Sequence, residues 1–379
     1  MNSNNPSPVY FDGPWRDLPR NQTNAAKWCA LSSNLAFFDL GSAGGVPPPF
    51  CWIPEWTDIV NFEPDPRGAS SSEGETLPIA IGPQSMTRIY LNRRPTTSSL
   101  LRPCRRIVDR YDFSKIFEDE GDIFETVETR QVQTFGLDEI IQQQELPAPD
   151  FLKIDVQGLS FEVLQSASKC LHDSILGVLI EVEFLETYTG QKTFGHIHEF
   201  LYENGFEIFK LTNLNKWYYK TDLPIRHVTG QHVFCDLLYF RCIDAITPDD
   251  PFWNETRAAK QILLFLLFDL IDTAAAYYER FRDQHIFTSN TVAPIKELIT
   301  EWEEALYFFY RKNQENKTDR SPEADFGQIQ LSDLINDPLL KPVINLRFQA
   351  SRWLKKCLPP SLFHYIFKRY HKKDGDPEC

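Results

Sequence analysis

The 379-residue chain lacks several features that would assign it to a particular class of protein. Its most apolar run, ILLFLLFDLI at 262–271, is too short to span a bilayer, and the first 30 residues contain no apolar core of a signal sequence. The eight cysteines are scattered without a CxxC pair, so neither a zinc site nor a disulfide framework is indicated. A formal net charge of −14 argues against nucleic acid as the main partner. We therefore expect a cytoplasmic protein of ordinary globular composition, long enough for about two domains.

Short apolar runs rich in β-branched and aromatic residues recur from residue 36 onward, with helical patterns between them. The runs are AFFDLG, DIVNFEP, LPIAIG, DFLKIDVQG, ILGVLIEVEF, FEIFKL and DLLYFR, and the helical patterns include SFEVLQSASKCL and FGHIHEFLYENG. This alternation predicts an α/β domain over 36–245 with a doubly wound, mostly parallel, seven-stranded sheet. A polar extension precedes it at 1–35, and long helical periods predict a separate helical region at 246–379.

Acidic residues stand at the ends of the predicted strands. The first strand runs into FFDLGSAGG, where Asp39 precedes a glycine turn, and the second ends in Glu63 about twenty residues later. Nucleotide-binding α/β folds place a glycine turn and an acid for ribose hydroxyls in this way, although a tight turn with a capping Asp is an equally simple explanation. Asp155, Glu181 and Glu183 follow or end later strands. Because ligands bind beyond the carboxyl ends of parallel strands, we expect these acids to share one site.

An insertion between the third and fourth of these strands is dense in arginine, with Arg at 88, 93, 94, 102, 105, 106 and 110. We expect it to form a hairpin, a mobile loop and an edge-like strand. Arginine presents a planar fork that suits carboxylates and phosphates, so an anionic substrate is one interpretation of the insertion. The other is a solvated face that the following EDEGD neutralises.

The segment 341–373 contains nine Lys or Arg and no acid, interleaved with aromatic residues and leucine. This composition predicts a basic amphipathic tail that contacts an anionic membrane surface. The alternative is a terminal helix that packs on its own domain or on a second copy of the chain. The sequence does not predict the oligomeric state.

The strongest local signal is DFLKIDVQGLSFEVLQSA at 150–167, in which a buried strand, an acid, a glycine turn and a helix follow one another. With FFDLGSAGG, NFEPDP, AIG with RIYLNRRPTTSSLL, and IEVEFLETYTGQKTF with FLYENGFEIFKL, it forms an ordered series over about 36–241. This series resembles the FkbM family of S-adenosylmethionine (SAM)-dependent methyltransferases. One departure is Ser160, which stands where the family usually has Glu, and Glu162 does not obviously replace it.

The resemblance implies a Rossmann-like methyltransferase fold that uses SAM to methylate a hydroxyl of a sugar or glycan-like small-molecule acceptor. The cofactor contacts that it implies are Asp39, Gly41, Ser42, Gly44, Glu63 and Asp65. Asp155 is the first candidate and Glu183 the second for the base that takes the acceptor's proton, and the same carboxylates could instead hold a divalent metal ion. Expected acceptor contacts are Ser98, Ser99, Tyr188 and Gln191.

Two other functions are compatible with the sequence. A nicotinamide-dependent oxidoreductase would use the same kind of sheet, but an acid before the glycine turn is unfavourable beside a pyrophosphate. A methyltransferase-like domain that has lost catalysis would act as a binding or scaffold protein.

Overall fold

A computed structural model of the chain describes residues 33–68, 74–117, 121–225 and 229–315. Most of the predicted N-terminal extension and the whole basic segment 341–373 lie outside the described residues. Met1–Phe308 form one compact unit and Phe309–Cys379 a second. Within the described ranges, no helix combines the length and apolar character needed to cross a membrane.

The strands are Leu35–Leu40 (β1), Thr57–Phe62 (β2), Glu75–Leu77 (β3), Ala80–Ile81 (β4), Ser85–Asn92 (β5), Thr126–Phe135 (β6), Phe151–Ile154 (β7), Gly177–Glu183 (β8), Phe206–Trp217 (β9) and Gln231–Arg241 (β10). Seven of them form the main sheet in the order β3, β2, β1, β7, β8, β10, β9. The first five in this order pair in parallel, and β10 runs antiparallel to both β8 and β9. The predicted seven-stranded, mostly parallel sheet is confirmed.

The insertion contributes β5 and β6 to a smaller sheet, whose strand order is β4, β6, β5. Its β5 and β6 pair antiparallel and are joined by residues 93–125, so the expected hairpin within the insertion stays a prediction. The predicted strand LPIAIG is divided between the two sheets, because β3 ends at Leu77 and β4 begins at Ala80. Pro78 lies at the division, and proline has no backbone N–H to donate to a continuous ladder.

The helices are Arg105–Val108 (α1), Leu137–Gln143 (α2), Ser160–Ser166 (α3), Ser168–Asp173 (α4), Phe194–Glu203 (α5), Glu255–Leu267 (α6), Ile271–Asp283 (α7) and Ser289–Glu315 (α8). Apolar residues of α2 to α5 pack on one face of the main sheet. Residues of α6, α7 and α8 pack on the other face, around Phe151 and Phe240. The predicted helices after residue 245 are therefore present and share a core with the sheet, while the domain boundary at 245 stays a prediction.

A third apolar cluster fixes the insertion beside the carboxyl ends of the strands. Tyr111, Phe113 and Phe124 of the insertion pack against Tyr188 and Trp217 of the main domain. The ring centroids of Phe113 and Trp217 are 5.0 Å apart, and those of Phe124 and Trp217 are 5.5 Å apart. The insertion thus forms a wall over the edge of the sheet where the predicted acids lie.

Candidate active site

A pocket of about 310 Å³ lies beyond the carboxyl ends of β1, β2, β7 and β8, between these strand ends and the insertion. This volume is at the lower end of the range for small-molecule sites. The predicted site residues that line it are Gly41, Glu63, Asp65, Ser98, Ser99, Asp155, Glu183 and Tyr188. Asp39, Ser42, Gly44 and Gln191 are not among the lining residues. The structure therefore brings together eight of the twelve predicted residues in one cavity.

The turn after β1 requires glycine at position 41. Gly41 has a φ of +86°, and a Cβ at this position would overlap the backbone carbonyl oxygen of Asp155. The Gly41 amide donates to the Phe62 carbonyl oxygen at 2.9 Å. Gly44, at a φ of +105°, has open space where a Cβ would stand. The missing side chain at Gly41 thus lets the ends of β1 and β7 approach each other.

Asp39 is completely buried and forms an ion pair inside the protein. Its Oδ1 accepts a hydrogen bond from the Lys153 ammonium at 2.9 Å, because β1 and β7 pair with these two residues opposite each other. Burial alone would lower the pKa of Lys153, but the carboxylates of Asp39 and Asp155 raise it above its ordinary value. Since Asp39 lies outside the pocket lining, its predicted contact with the cofactor stays a prediction. Lys153 was not predicted as a site residue.

Glu63 and Asp65 both follow β2, but the protein shifts their pKa values in opposite directions. Burial raises the pKa of Glu63 to about 7, and its Oε1 accepts a hydrogen bond from the Asp65 amide at 2.7 Å. Burial also raises the pKa of Asp65, but hydrogen bonds from Arg67 outweigh it and leave that pKa below its ordinary value. Asp65 is therefore the ionised member of the pair at neutral pH, and Glu63 exchanges its proton near neutrality.

Glu183 ends β8 with only 3% of its surface exposed. Its Oε2 has no hydrogen-bond partner among the described residues. Burial raises the pKa of Glu183 to about 8, the nearby Gln191 partly offsets this effect, and the Asp155 carboxylate adds to it. Burial also raises the pKa of Glu181 well above its ordinary value. Two carboxyl groups of raised pKa, the buried Glu183 and the half-buried Glu181, therefore line one side of the pocket.

Asp155 is held by its neighbours on the β7 side of the pocket. Its Oδ1 accepts a hydrogen bond from Gln157 Nε2 at 2.6 Å, and its Oδ2 lies 3.9 Å from the Lys153 ammonium nitrogen. Gln157 Nε2 also donates to Glu181 Oε1 at 3.0 Å. Sequence reasoning missed Gln157, because a polar residue in a turn is unremarkable until its neighbours in space are known.

The predicted acceptor residues make hydrogen bonds within the protein. Ser98 Oγ donates to Asp65 at 3.1 Å, and Ser99 Oγ donates to the Gln157 carbonyl oxygen at 2.6 Å. The Tyr188 hydroxyl lies 2.9 Å from both the Thr97 carbonyl oxygen and Gln157 Oε1. Gln191 Oε1 accepts a hydrogen bond from the Tyr188 backbone amide, and Gln191 does not line the pocket. These contacts tie the insertion to the strand ends, and the residues' roles toward an acceptor stay predictions.

Most arginines of the insertion do not line the pocket. Among them only Arg94 is a lining residue, and its guanidinium stacks 4.0 Å from the Phe117 ring. Arg93 pairs with Glu125, and Arg105 pairs with Asp122 at 2.6 Å. Asp122 is the last residue of EDEGD, so for Arg105 the neutralised face is confirmed.

Two further expectations concern metal and Ser160. Within the described ranges, no group of three or more His, Cys, Asp or Glu side chains is arranged to hold a metal ion, so the possible divalent metal finds no candidate site there. Ser160 is buried as the first residue of α3 and does not line the pocket. The departure from the family pattern therefore lies outside the cavity wall.

The chain was compared with protein families, curated proteins and solved structures. Residues 52–208 match the family described as Methyltransferase FkbM domain. Among solved structures, the chain is similar to a methyltransferase FkbM from Methylobacillus flagellatus, with 13% identity, a TM-score of 0.28, and coverage of 55% of this chain and 43% of that one.

It is also similar to a precorrin-6y C5,15-methyltransferase from Geobacter metallireducens, with 12% identity, a TM-score of 0.26, and coverage of 59% and 90%. A third is magnesium protoporphyrin IX methyltransferase from Synechocystis with bound SAM, with 8% identity, a TM-score of 0.27, and coverage of 58% and 79%. None of the curated proteins compared with the chain matches it. The match over residues 52–208 makes this part of the chain similar to an FkbM methyltransferase domain.

Proposed function

We propose that the chain transfers a methyl group from SAM to a hydroxyl oxygen of an acceptor bound in the same pocket. The observation that carries this proposal is the buried Glu183 carboxyl group, which lines the pocket and has no partner for Oε2 among the described residues. A buried polar atom without a partner is costly to folding, and a functional site is one reason for a protein to keep it. The FkbM domain supports methyl transfer as the reaction class.

The residues around Gly41 and Glu63 fit the nucleoside part of SAM. Gly41 lines the pocket at the point where its missing side chain lets the ends of β1 and β7 approach each other. Ser42 and Gly44 belong to the same turn, and we keep them as proposed cofactor contacts. Glu63 offers a buried acceptor for ribose hydroxyls, and Asp65 would border the adenine. Asp39 would support the turn through its ion pair with Lys153. When bound, SAM supplies an electrophilic methyl group on a positively charged sulfur.

We assign the base to Glu183 and keep Asp155 as the second candidate, which reverses the order expected from the sequence. A hydroxyl is a weak nucleophile until a base takes its proton, and a base works best with a pKa near the working pH. The pKa of Glu183, about 8, meets this requirement. Asp155 is already engaged by Gln157 and lies near Lys153.

A sugar or glycan-like acceptor agrees with the mixed lining of the pocket. The carboxyl groups of Glu181 and Glu183 are suited to hydrogen bonds with the hydroxyl groups of a sugar. The rings of Trp217 and Phe234 offer apolar surface for its C–H face. Ser98, Ser99 and Tyr188 would shape the wall, with Gln191 holding Tyr188 in place.

The test combines binding with transfer. Calorimetry with S-adenosylhomocysteine and with NADH should show binding of the first alone. Transfer of labelled methyl from SAM to a panel of neutral oligosaccharides should then fall at least ~100-fold in Glu183→Gln, with unchanged affinity for S-adenosylhomocysteine. Glu203→Gln, on the exposed face of α5, is the matched control.

Full activity of Glu183→Gln would contradict the assigned base. Binding of S-adenosylhomocysteine without transfer to any acceptor would instead identify a non-catalytic binding or scaffold protein on the same fold. Binding of NADH in place of S-adenosylhomocysteine would favour the oxidoreductase.

We also propose that the protein is cytoplasmic and that its basic segment 341–373 contacts anionic membranes, on the evidence of composition alone. Deletion of residues 341–379 should abolish co-sedimentation with vesicles that contain phosphatidylserine. Unchanged sedimentation would contradict the membrane contact.

A further inference from the structure

Gln157 stands in a tight turn between the end of β7 and the loop that carries Tyr188. Its backbone has a φ of +51°, which a non-glycine residue adopts rarely, and the next residue, Gly158, has a φ of +95°. A Cβ on Gly158 would stand 2.9 Å from the Tyr188 ring. The turn is therefore pressed against Tyr188 and places the Gln157 side chain among the pocket residues.

The side-chain amide of Gln157 uses both of its N–H donors and has one neighbour at its oxygen. Nε2 donates to Asp155 Oδ1 at 2.6 Å and to Glu181 Oε1 at 3.0 Å, while Oε1 lies 2.9 Å from the Tyr188 hydroxyl. An amide has two N–H hydrogens and one carbonyl oxygen, so these three neighbours fix which end of it points where. The Ser99 hydroxyl also holds the Gln157 backbone carbonyl oxygen at 2.6 Å.

We propose that Gln157 is a positioning residue that fixes the orientation of the Asp155 and Glu181 carboxyl groups and links both to Tyr188. The proposal rests on the proposed function and adds a residue to it. A carboxylate of the same size lacks both N–H donors and would add a negative charge between two acids. An amide at position 157 therefore suits these two acids better than a carboxylate of equal size.

The charged and titratable groups around the two carboxyl groups come from every neighbouring element. They are Asp39 on β1, Glu63 after β2, Lys153 on β7, Glu183 on β8, Asp236 on β10 and Tyr188 after β8. Lys153 is the cation of this set. A new carboxylate at position 157 would meet more negative than positive neighbours, so it should make the existing acids harder to ionise.

The experiment compares the full chain with Gln157→Glu and with Gln142→Glu, which makes the same change at an exposed position of α2. Methyl transfer to the panel of neutral oligosaccharides is measured from about pH 6 to about pH 9.5, with S-adenosylhomocysteine affinity as the control. In Gln157→Glu we expect affinity within about threefold, a rate at neutral pH reduced about tenfold, and a midpoint shifted about one pH unit to the alkaline side. Gln142→Glu should match the unaltered protein.

A reduced rate with an unchanged pH midpoint would overturn the proposal, because a merely structural role would give that result. So would an unaltered rate in Gln157→Glu. If the unaltered protein transfers no methyl group, the proposed function fails, and thermal melting across the same pH range still tests Gln157. Gln157→Glu should then lose more stability toward alkaline pH than Gln142→Glu, and equal losses would overturn the proposal.

Discussion

The two ends of β7 both carry buried carboxyl groups, and they differ in what the protein gives those groups as partners. At the amino end, Asp150 Oδ2 accepts hydrogen bonds from the Ala36 amide at 2.8 Å and from the Lys260 ammonium at 2.6 Å. At the carboxyl end, Glu183 on the neighbouring strand keeps Oε2 unpartnered among the described residues. Both acids are deeply buried. Burial alone therefore does not distinguish the two acids, which differ in the partners that the protein gives to their carboxylate oxygens.

The ends differ for a reason of topology. The amino end of β7 meets α6, whose Lys260 reaches back to the sheet and whose apolar face joins the core. The carboxyl end meets the insertion, which leaves a cavity between itself and the strands. At the amino end the buried acid is thus neutralised by a charged pair, whereas at the carboxyl end several carboxyl groups surround a cavity.

The largest expected effect comes from breaking the charged pair at the amino end of β7. Lys260→Met should destabilise the fold by about 4 kcal/mol, because it leaves Asp150 buried without its counter-charge. The measurement is urea unfolding at neutral pH. Methyl transfer per folded molecule should not change, since the pair is remote from the pocket lining.

The double variant Lys260→Met with Asp150→Asn is the control for this prediction. It should recover most of the lost stability, because removing both charges of a buried pair costs far less than removing one. A loss below about 1 kcal/mol in the single variant would show that the amino end does not depend on the pair.

The next effect is expected at the turn after β1. Gly41→Ala should cost ~3 kcal/mol and weaken S-adenosylhomocysteine binding at least tenfold, because the new Cβ overlaps the Asp155 carbonyl oxygen and strains a left-handed residue. Calorimetry and urea unfolding measure the two quantities. Gly190→Ala is matched in conformation, with a φ of +85° against +86°, but has nothing within 4 Å of the added atom.

The control should therefore lose only about 1 kcal/mol, from backbone strain, and should bind S-adenosylhomocysteine normally. Equal losses in the two variants would mean that the contact between the β1 and β7 loops contributes nothing.

The smallest effect, and one of opposite sign, is expected for the stability of Glu183→Gln. The folded protein raises the pKa of Glu183 from 4.5 to about 8, so it binds this proton more tightly than the unfolded chain does. The resulting stability is present in full below about pH 4.5 and is lost as the pH rises through about 8. Glu183→Gln should therefore be ~2 kcal/mol more stable than the unaltered protein at about pH 9 and differ little at about pH 5. Urea unfolding at the two pH values measures this, and a variant that is less stable at alkaline pH would contradict the raised pKa.

The sequence predicted the fold well because its signals are local. Apolar runs located the strands of the main sheet, and the rule that parallel strands end at one edge placed Glu63, Asp155 and Glu183 in one cavity. The division of LPIAIG was missed although Pro78 marked it.

The partners of the acids were beyond prediction from the sequence. Asp39 contacts Lys153 only because β1 and β7 pair in one particular register. The sequence of neither strand predicts that register. The lysine inside the otherwise apolar run FLKI was the one local sign of a buried charged partner at this position. Gln157 reaches Glu181 and Tyr188 across the sequence, so its role required the assembled loops.

The most direct test of the account is a crystal structure of the protein with bound S-adenosylhomocysteine. We expect the ribose hydroxyls within hydrogen-bond distance of Glu63 and the sulfur directed toward Glu183 and Asp155. Adenosine bound outside this pocket, or sulfur directed away from both carboxyl groups, would contradict the proposed methyl transfer.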